Sequence, residues 1–232
     1  MLDTPLDGAV CHSCWSLVRP LPPPLCRTCG DPLPSWRIIS TALDRCARCR
    51  RRPHAFSAAR AAGDYDGALR DILQAFKYGG RRGLARPLGR LAATAGAEML
   101  IGADCVVPVP LHPLRRLHRG FNQADDLAGQ LDLPVVRALR RTHATAPQTG
   151  LAAAARWRNV GGAFSVSPFV SGRVREQWLL NRTVVIVDDV RTTGATLDAC
   201  ARTLLTAGVR EVRALTVARA APPSRSQADP VR

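Results

Sequence analysis

The stretch VVIVDDVRTTGATL, residues 184–197, constrains the fold more than any other part of the chain. Its leading apolar residues, 184–187, predict a strand that is buried on both faces, as in a parallel sheet. An acidic pair, Asp188 and Asp189, ends this strand, and a Thr/Gly turn then opens a helix. In open α/β sheets, ligands bind beyond the carboxyl ends of the strands. The sequence therefore predicts an α/β fold with its chemistry at this turn.

The turn has the properties of an anion site, because a helix N-terminus offers free backbone N–H groups and the positive end of its dipole. Gly194 would let the backbone approach a phosphate closely, and the hydroxyls beside it add donors. The candidate residues are Thr192, Thr193, Gly194, Ala195 and Thr196. The carboxylates before them would repel a phosphate, so they fit sugar hydroxyls or a hydrated cation such as Mg²⁺. The alternative is a plain strand-end pair with a capping role.

Together, the acidic pair and the string RTTGAT, residues 191–196, resemble the phosphoribosyl pyrophosphate (PRPP) signature of type I phosphoribosyltransferases. In that family the acidic pair holds the ribose hydroxyls and the turn wraps the 5-phosphate. The resemblance implies catalytic roles for Asp188 and Asp189, PRPP binding by the turn, and Mg²⁺ bound together with PRPP. Arg191 lies where the family varies and is a contact candidate.

Six of the eight cysteines form three Cys-x-x-Cys pairs within the first fifty residues. In a reducing compartment such pairs hold metal, whereas disulfides would require an exported protein. The pairs Cys26/Cys29 and Cys46/Cys49 are separated by sixteen residues, which suits a tetrahedral structural Zn²⁺ site in a zinc ribbon. Residues 1–55 have too few aliphatic side chains for a core of their own, so metal would have to organise them.

The third pair, Cys11 and Cys14, is also a metal-ligand candidate, but it lacks two ligands for tetrahedral zinc. His12 or His54 would complete such a site. Another hypothesis is that Met1 is not the natural start and that a further Cys-x-x-Cys pair precedes it, as is common in proteins that resemble this one.

A second motif follows the predicted strand DCVVPVP, residues 104–110. Residues 111–131, LHPLRRLHRGFNQADDLAGQL, predict a basic loop that favours an anion and then a helix. The helix is predicted to face inward through Phe121, Ala124, Leu127, Ala128 and Leu131. The motif resembles the most diagnostic segment of the ComF/GntX-like phosphoribosyltransferases, proteins linked to DNA uptake in competent bacteria. In PRPP-binding folds the loop after the first core strand contacts pyrophosphate, which implies that role for Pro110, Leu111 and His112.

Residues 140–160 form a long polar segment between predicted strands, a length typical of a lid or binding loop. The segment matches the pattern of the same family. The resemblance implies that it closes over PRPP, and that Arg156 or Arg158 stabilises the leaving pyrophosphate. The alternative is an ordinary surface helix around Trp157.

Residues 68–78 and 84–100 predict two amphipathic helices. The first would pack through Leu69, Ile72, Leu73 and Phe76. Lys77 and Arg81, between the helices, are candidates for an exposed phosphate contact, although a helix C-terminus favours cations for dipole reasons alone. Residues 134–139 and 211–219 predict further strands, and 165–177 predict a hairpin or insertion.

The net charge of +15 favours polyanionic partners, either nucleic acid or a polyphosphate, although an arginine-rich composition also occurs as a genome-wide habit. The basic string RCARCRRR, residues 45–52, would contact nucleic-acid phosphates or offset the charge of a tetrathiolate metal site. No stretch resembles a secretory signal or a membrane span, which predicts a cytoplasmic protein without membrane insertion.

The sequence therefore predicts a type I phosphoribosyltransferase-like α/β fold with a mostly parallel sheet flanked by helices. The predicted domains are a zinc ribbon at 1–55, the α/β domain at 56–220 and a disordered tail at 221–232. Three functions compete: Mg²⁺-dependent transfer of the phosphoribosyl group from PRPP, a DNA-processing partner that binds single-stranded DNA or the DNA-uptake machinery, and a PRPP sensor without catalysis. No pattern specifies the acceptor or the oligomeric state.

Overall fold

A parallel sheet forms the centre of the molecule, which the computed structural model describes for residues 10–33, 44–112, 117, 119–142 and 162–221. The sheet has four strands in the order β1-β6-β5-β2, and every neighbouring pair is parallel. These strands are β1 (Ala58–Asp64), β2 (Cys105–Pro108), β5 (Thr183–Arg191) and β6 (Glu211–Arg219). A single parallel bridge from Val106 to Val135 continues the sheet beyond β2. The predicted parallel α/β fold is confirmed.

Strand β5 lies inside this sheet, and residues 184–187 are at most 2% exposed, as the apolar run predicted. The prediction that the acidic pair ends the strand is wrong. The strand continues to Arg191, because β6 is equally long and supplies partners for Val190 and Arg191 at Ala218 and Arg219. The acidic pair therefore lies within the last residues of a strand.

Helices cover both faces of the sheet. They are α3 (Gly67–Tyr78), α4 (Ala85–Ala95), α5 (Ala97–Leu100), α6 (Gln123–Ala128), α7 (Gly172–Trp178) and α8 (Ala195–Thr206), after the short α1 (His12–Ser16) and α2 (Ala47–Arg51) near the N-terminus. The four apolar residues predicted to face inward from α3 are all at most 4% exposed, and the five predicted around α6 are at most 7% exposed. These two predicted faces are confirmed.

The second helix of the pair after β1 differs from its prediction. A 3₁₀ turn at Arg82–Leu84 precedes α4, and Gly96 separates α4 from α5. A Cβ atom on Gly96 would collide with Leu215 Cδ1 of the sheet, so a larger residue here would require the Leu215 side chain to move.

Two short antiparallel strands, β3 (Leu139–Arg141) and β4 (Phe164–Val166), pair beside the main sheet. The predicted strand at 134–139 is thus replaced by one bridge at Val135 and by β3. Of the two alternatives predicted for residues 165–177, a hairpin or an insertion, the hairpin is wrong. These residues contain the end of β4 and most of helix α7. The helix begins after Ser171, whose side chain accepts a hydrogen bond from the Val174 N–H. The predicted lid lies largely outside the described residues, which resume at 162.

The N-terminal segment packs along β1. The Ala59 N–H donates to the Thr28 carbonyl at 2.7 Å, and Pro20 bridges Gly63 in antiparallel fashion. In the part of the chain that is described, no helix is both long and apolar enough to cross a bilayer.

Candidate functional site

Four thiols converge in the N-terminal segment, as the cysteine spacing predicted. The Sγ atoms of Cys26, Cys29, Cys46 and Cys49 all lie within 4.8 Å of one another. Three of the four residues are buried, and the Cys46 N–H donates to Cys26 Sγ at 3.2 Å. A closed set of four thiolate donors fits tetrahedral Zn²⁺ and leaves no open coordination position, which is typical of a structural rather than a catalytic site.

Cys11 directly precedes α1 and Cys14 lies within it, outside the four-thiol cluster, with their Sγ atoms 3.4 Å apart. Within the described residues, neither His12 nor His54 brings a third ligand atom to this pair. His54 instead stacks on Phe56 at a centroid distance of 4.4 Å, and its Nδ1 lies 3.6 Å from Asp198 Oδ1. The suggestion that His54 completes a second zinc site is therefore wrong, because the chain after α2 carries it to helix α8.

Asp188 and Asp189 are half-buried near the end of β5. Burial, aided by the charge of Asp189, raises the pKa of Asp188 to about 7. Asp189 forms an ion pair with Lys77, whose Nζ lies 3.1 Å from Asp189 Oδ1, and both side chains are only 12–13% exposed. Lys77, from the last turn of α3, is thus the ion-pair partner of Asp189, and the charges of Lys77 and Arg141 both act on Asp188.

Lys77 is the single lysine of the chain. The sequence placed it as an exposed phosphate contact, whereas its side chain is largely buried 5.5 Å from the centroid of the Tyr65 ring. Burial lowers the pKa of Lys77, but the charge and hydrogen bond of Asp189, together with the charges of Tyr65 and Asp188, outweigh burial and raise that pKa. The one lysine among so many arginines was the available signal that this position differs from the other basic residues.

The turn after β5 begins helix α8, as predicted. Gly194 has φ +82° and directly precedes α8, and the Thr193 hydroxyl accepts from the Ala195 N–H at 3.3 Å. Thr192, Thr193 and Thr196 are half-buried beside the acidic pair in the chain. Because α8 has twelve residues and begins directly after Gly194, the positive end of its dipole lies at this turn and favours an anion.

Pro110, Leu111 and His112 follow β2, which pairs with β5, so this loop leaves the same edge of the sheet as the acidic pair. Asn122 holds the start of the loop, since its Nδ2 donates to the Val109 carbonyl at 3.1 Å. The side-chain oxygen of Asn122 also accepts from the Ala124 N–H and caps α6.

The basic loop that was predicted to favour an anion ends in RGFNQ, residues 119–123, whose last two residues are Asn122 and Gln123. Both are buried, at 9% and 1% exposure. Gln123 Oε1 accepts from Arg119 Nη1 at 3.1 Å, and Arg119 Nη2 donates to the Tyr78 hydroxyl at 2.9 Å. The segment therefore joins the start of α6 to the end of α3, and Gln123 Nε2 is buried without a hydrogen-bond partner among the described residues.

Arg191 turns away from solvent at the end of β5. Its residue is 3% exposed, and its Nη2 donates to Asp31 Oδ1 of the N-terminal segment at 2.6 Å. Arg156, the other basic residue proposed for PRPP, lies outside the described residues.

Residues 117–231 match the family of the phosphoribosyl transferase domain. Competence protein F of Haemophilus influenzae is 30% identical over 223 residues, which cover 92% of this chain and 91% of that protein. DNA utilization protein YhgH of Escherichia coli is 33% identical over 202 residues, covering 82% and 81%. Competence protein ComFC of Bacillus subtilis is 26% identical and covers 87% and 80%.

Among solved structures, a hypoxanthine phosphoribosyltransferase from Staphylococcus aureus is similar over 63% of this chain and 70% of its own. The sequence identity is 18% and the TM-score is 0.34.

Proposed function

The chain belongs to the ComF/YhgH family of proteins with a phosphoribosyltransferase domain, and we propose that it binds PRPP with Mg²⁺ at the carboxyl ends of β2 and β5. The observation that carries the proposal is the placement of a half-buried acidic pair immediately before a helix start with a left-handed glycine. The carboxylates suit hydroxyl donors, and the helix start suits a phosphate. A phosphoribosyl ligand carries both groups a few bonds apart.

The residue roles follow from charge. Asp188 and Asp189 would accept hydrogen bonds from the ribose hydroxyls, since ionised carboxylates are acceptors only. Arg191 and the turn at 192–196 flank the 5-phosphate, with Arg191 acting through its position rather than by contact. Pro110, Leu111 and His112 would face the pyrophosphate, and Arg156 would approach it from residues 143–161.

The acidic pair also suits Mg²⁺, which prefers oxygen ligands and is commonly held by one or two carboxylates plus phosphate oxygens. Bound there, Mg²⁺ would offset the negative charge of the pyrophosphate. In this chain Lys77 occupies the neighbourhood of Asp189, at 3.1 Å, and is the side chain that such a ligand would have to displace or share.

We further propose that the bound group is transferred or sensed in connection with DNA uptake. The printed names of the relatives refer to competence and DNA utilization. In the transfer reaction, the bond from ribose C1 to pyrophosphate breaks, pyrophosphate leaves with that electron pair, and the acceptor's nucleophile bonds to C1. Sensing would need the same contacts without an acceptor.

Calorimetric titration with PRPP and Mg²⁺ tests the proposal. Wild-type protein should bind with measurable heat, and the double variant Asp188→Asn/Asp189→Asn should lose at least about tenfold in affinity, because two acceptors become mixed donor-acceptor amides. Glu98→Gln is a control, since Glu98 is an exposed carboxylate on α5 that pairs with Arg60. Absence of binding by the wild type would refute the PRPP proposal.

A second candidate function is binding of single-stranded DNA, with the PRPP site as regulator. The supporting observation is the basic N-terminal segment, in which Arg45, Arg50 and Arg51 are exposed around the thiol cluster. Aromatic residues make up only 5% of the chain, so few stacking platforms are available. Affinity measured at several salt concentrations decides, because binding by charge alone is nearly lost at physiological salt.

A further inference from the structure

Asp31 joins the zinc ribbon to the strand that carries the acidic pair. It follows Cys29 by two residues, and its side chain is 13% exposed. Its Oδ2 accepts from Arg48 Nη2 at 2.5 Å within the ribbon, and its Oδ1 accepts from Arg191 Nη2 at 2.6 Å. The Asp31 carbonyl also accepts from the Cys26 N–H at 2.8 Å, so both ends of the residue are tied to the thiol cluster.

Arg191 depends on this carboxylate. The Arg191 side chain is 2% exposed. Among the described residues, its closest ion-pair partner is Asp31, at 2.6 Å. Arg191 is paired across the sheet with a second arginine, Arg219, whose Nη1 lies 3.6 Å from the same Asp31 oxygen. Without Asp31, Arg219 would keep its ion pair with Asp64 at 2.8 Å, whereas Arg191 would be buried without its partner, which is strongly unfavourable.

The far side of the phosphate turn is held by the segment that leaves the ribbon. A Cβ atom on Gly194 would lie 3.3 Å from His54 Cε1, so the His54 ring packs directly against the turn. The next residue, Ala55, donates its N–H to Asp198 Oδ1 in the first turn of α8 at 2.6 Å. Asp31 therefore holds the residue before the turn, and residues 54–55 hold the residues after it.

We propose that Asp31 is a positioning residue for the phosphate turn, so that closure of the four-thiol site and affinity for a phosphoribosyl ligand are coupled. The inference rests on the proposed function for the identity of its ligand. A ribbon closed by metal fixes Cys29 and hence Asp31, which fixes Arg191 next to Thr192. The coupling is reciprocal, because a ligand that favours the ordered turn must equally favour the closed ribbon.

A purely structural ion pair would behave differently. Its loss would lower the free energy of unfolding of the whole protein, but the folded molecules would keep their turn and their affinity. A positioning residue changes the order of residues 192–197 in molecules that remain folded and metal-loaded. Local order and zinc content are therefore measured together.

Asp31→Asn in full-length, zinc-loaded protein is the primary variant. Amide hydrogen exchange of peptides that cover 192–197 should become faster, while zinc stays at one per four-thiol site. The matched control is Glu211→Gln, since Glu211 accepts from Arg213 at 2.9 Å and from Ser57 at 2.8 Å at the opposite end of β6. Glu211→Gln should leave exchange in the turn unchanged. This readout needs no PRPP, so it stands even where the proposed function fails.

The ligand arm uses PRPP with Mg²⁺. Asp31→Asn should bind about tenfold more weakly than wild type, within the range typical of coupling between sites. PRPP should also slow the release of zinc to a chelator in the wild type and lose that effect in Asp31→Asn. Unchanged exchange in the turn, or unchanged PRPP affinity despite faster exchange, would overturn the coupling. Absence of PRPP binding in the wild type refutes the proposed ligand, and the exchange data alone then decide the role of Asp31.

A second variant covers the case in which Asp31→Asn does not fold. Asp31→Asn/Arg191→Gln removes the buried charge together with its partner, which avoids most of the cost of a lone buried guanidinium. The double variant should show the same faster exchange in the turn. Exchange at the wild-type rate in this variant would contradict the proposal.

Discussion

The thiol cluster and the acidic pair each bring together groups that can carry negative charge, and they are built in opposite ways. The cluster takes four donors of one kind from two local turns, and its Sγ atoms face one another within 4.8 Å. The acidic pair takes two carboxylates from one strand, leaves them half-buried, and neutralises one of them with Lys77 from a helix more than a hundred residues earlier in the sequence.

We propose that this difference separates a structural metal site from a site that binds exchangeable ligands. Four thiolates complete the coordination of one ion, so the cluster has no position left for a substrate. Two carboxylates beside one lysine do not complete any coordination shell, and the lysine can be exchanged for a ligand. The changes described below each affect one group of the thiol cluster or of the acidic pair.

Loss of a thiolate should have the largest effect. Cys29→Ser should abolish stoichiometric zinc binding and markedly lower the thermal unfolding temperature, because structural Zn²⁺ contributes on the order of 10 kcal/mol or more to folding. Zinc content by elemental analysis and thermal unfolding check this. Cys14→Ser should keep the zinc, since Cys14 lies outside the four-thiol group. Zinc retained by Cys29→Ser would contradict the assignment of the cluster.

Acidification should weaken ligand binding at the other site. The pKa of Asp188 is raised to about 7 by burial and by Asp189, so below that pH the carboxyl group must lose a proton before it can accept hydrogen bonds from ribose. PRPP affinity should rise with pH by at most about tenfold per unit below pH 7 and level off above it. Calorimetry across this pH range measures the PRPP affinity of the wild type and of Asp188→Asn. The ligand titrates in the same way with both proteins, so the difference between them reports on Asp188.

The same shift fixes the sign of the effect on stability. Because the folded-state pKa is raised, the folded protein keeps this proton where the unfolded chain has released it. The contribution of Asp188 to stability is therefore present at low pH and is lost as the pH rises through about 7. This account would be contradicted if Asp188→Asn and the wild type had the same pH dependence both of PRPP affinity and of the free energy of unfolding.

Removal of the Lys77 side chain should have a smaller effect, and it should strengthen cation binding at the acidic pair rather than weaken it. Lys77→Met leaves two carboxylates without their nearest cation, so Mn²⁺ alone should bind about tenfold more tightly than in the wild type, roughly the effect of one pKa unit of lost charge interaction. The control is Arg81→Met, because Arg81 is exposed in the loop after α3. Equal Mn²⁺ affinity in Lys77→Met and wild type would show that Lys77 does not compete with a cation.

Local patterns in the sequence predicted much of the thiol cluster and of the strand and turn around the acidic pair. The four cysteines, the apolar strand and the helix start at Gly194 are each specified by residues close together in the chain. The length of β5 was not predictable, because its last residues are strands only by pairing with Ala218 and Arg219. The helix at Gly172–Trp178 was missed because Pro168 and Gly172 favoured a turn, whereas Ser171 caps a helix there.

The partners of the charged groups were also beyond local reasoning. Lys77 was expected in an exposed loop, and Arg191 was expected beside a ligand. The first lies against Asp189 and the second against Asp31, and both pairings join segments over a hundred residues apart. Charge and spacing identify which residues carry the chemistry, but tertiary packing decides which opposite charge each one meets.

The single lysine provides the most direct test that the acidic end of β5 binds PRPP. Reductive methylation with ¹³C labels Lys77 and the N-terminal amine and preserves their charge. Addition of PRPP and Mg²⁺ should shift the Lys77 methyl signal in the wild type and leave it unmoved in Asp188→Asn/Asp189→Asn. A Lys77 signal that stays in place while calorimetry reports PRPP binding to the same protein would place the ligand elsewhere and contradict the central claim.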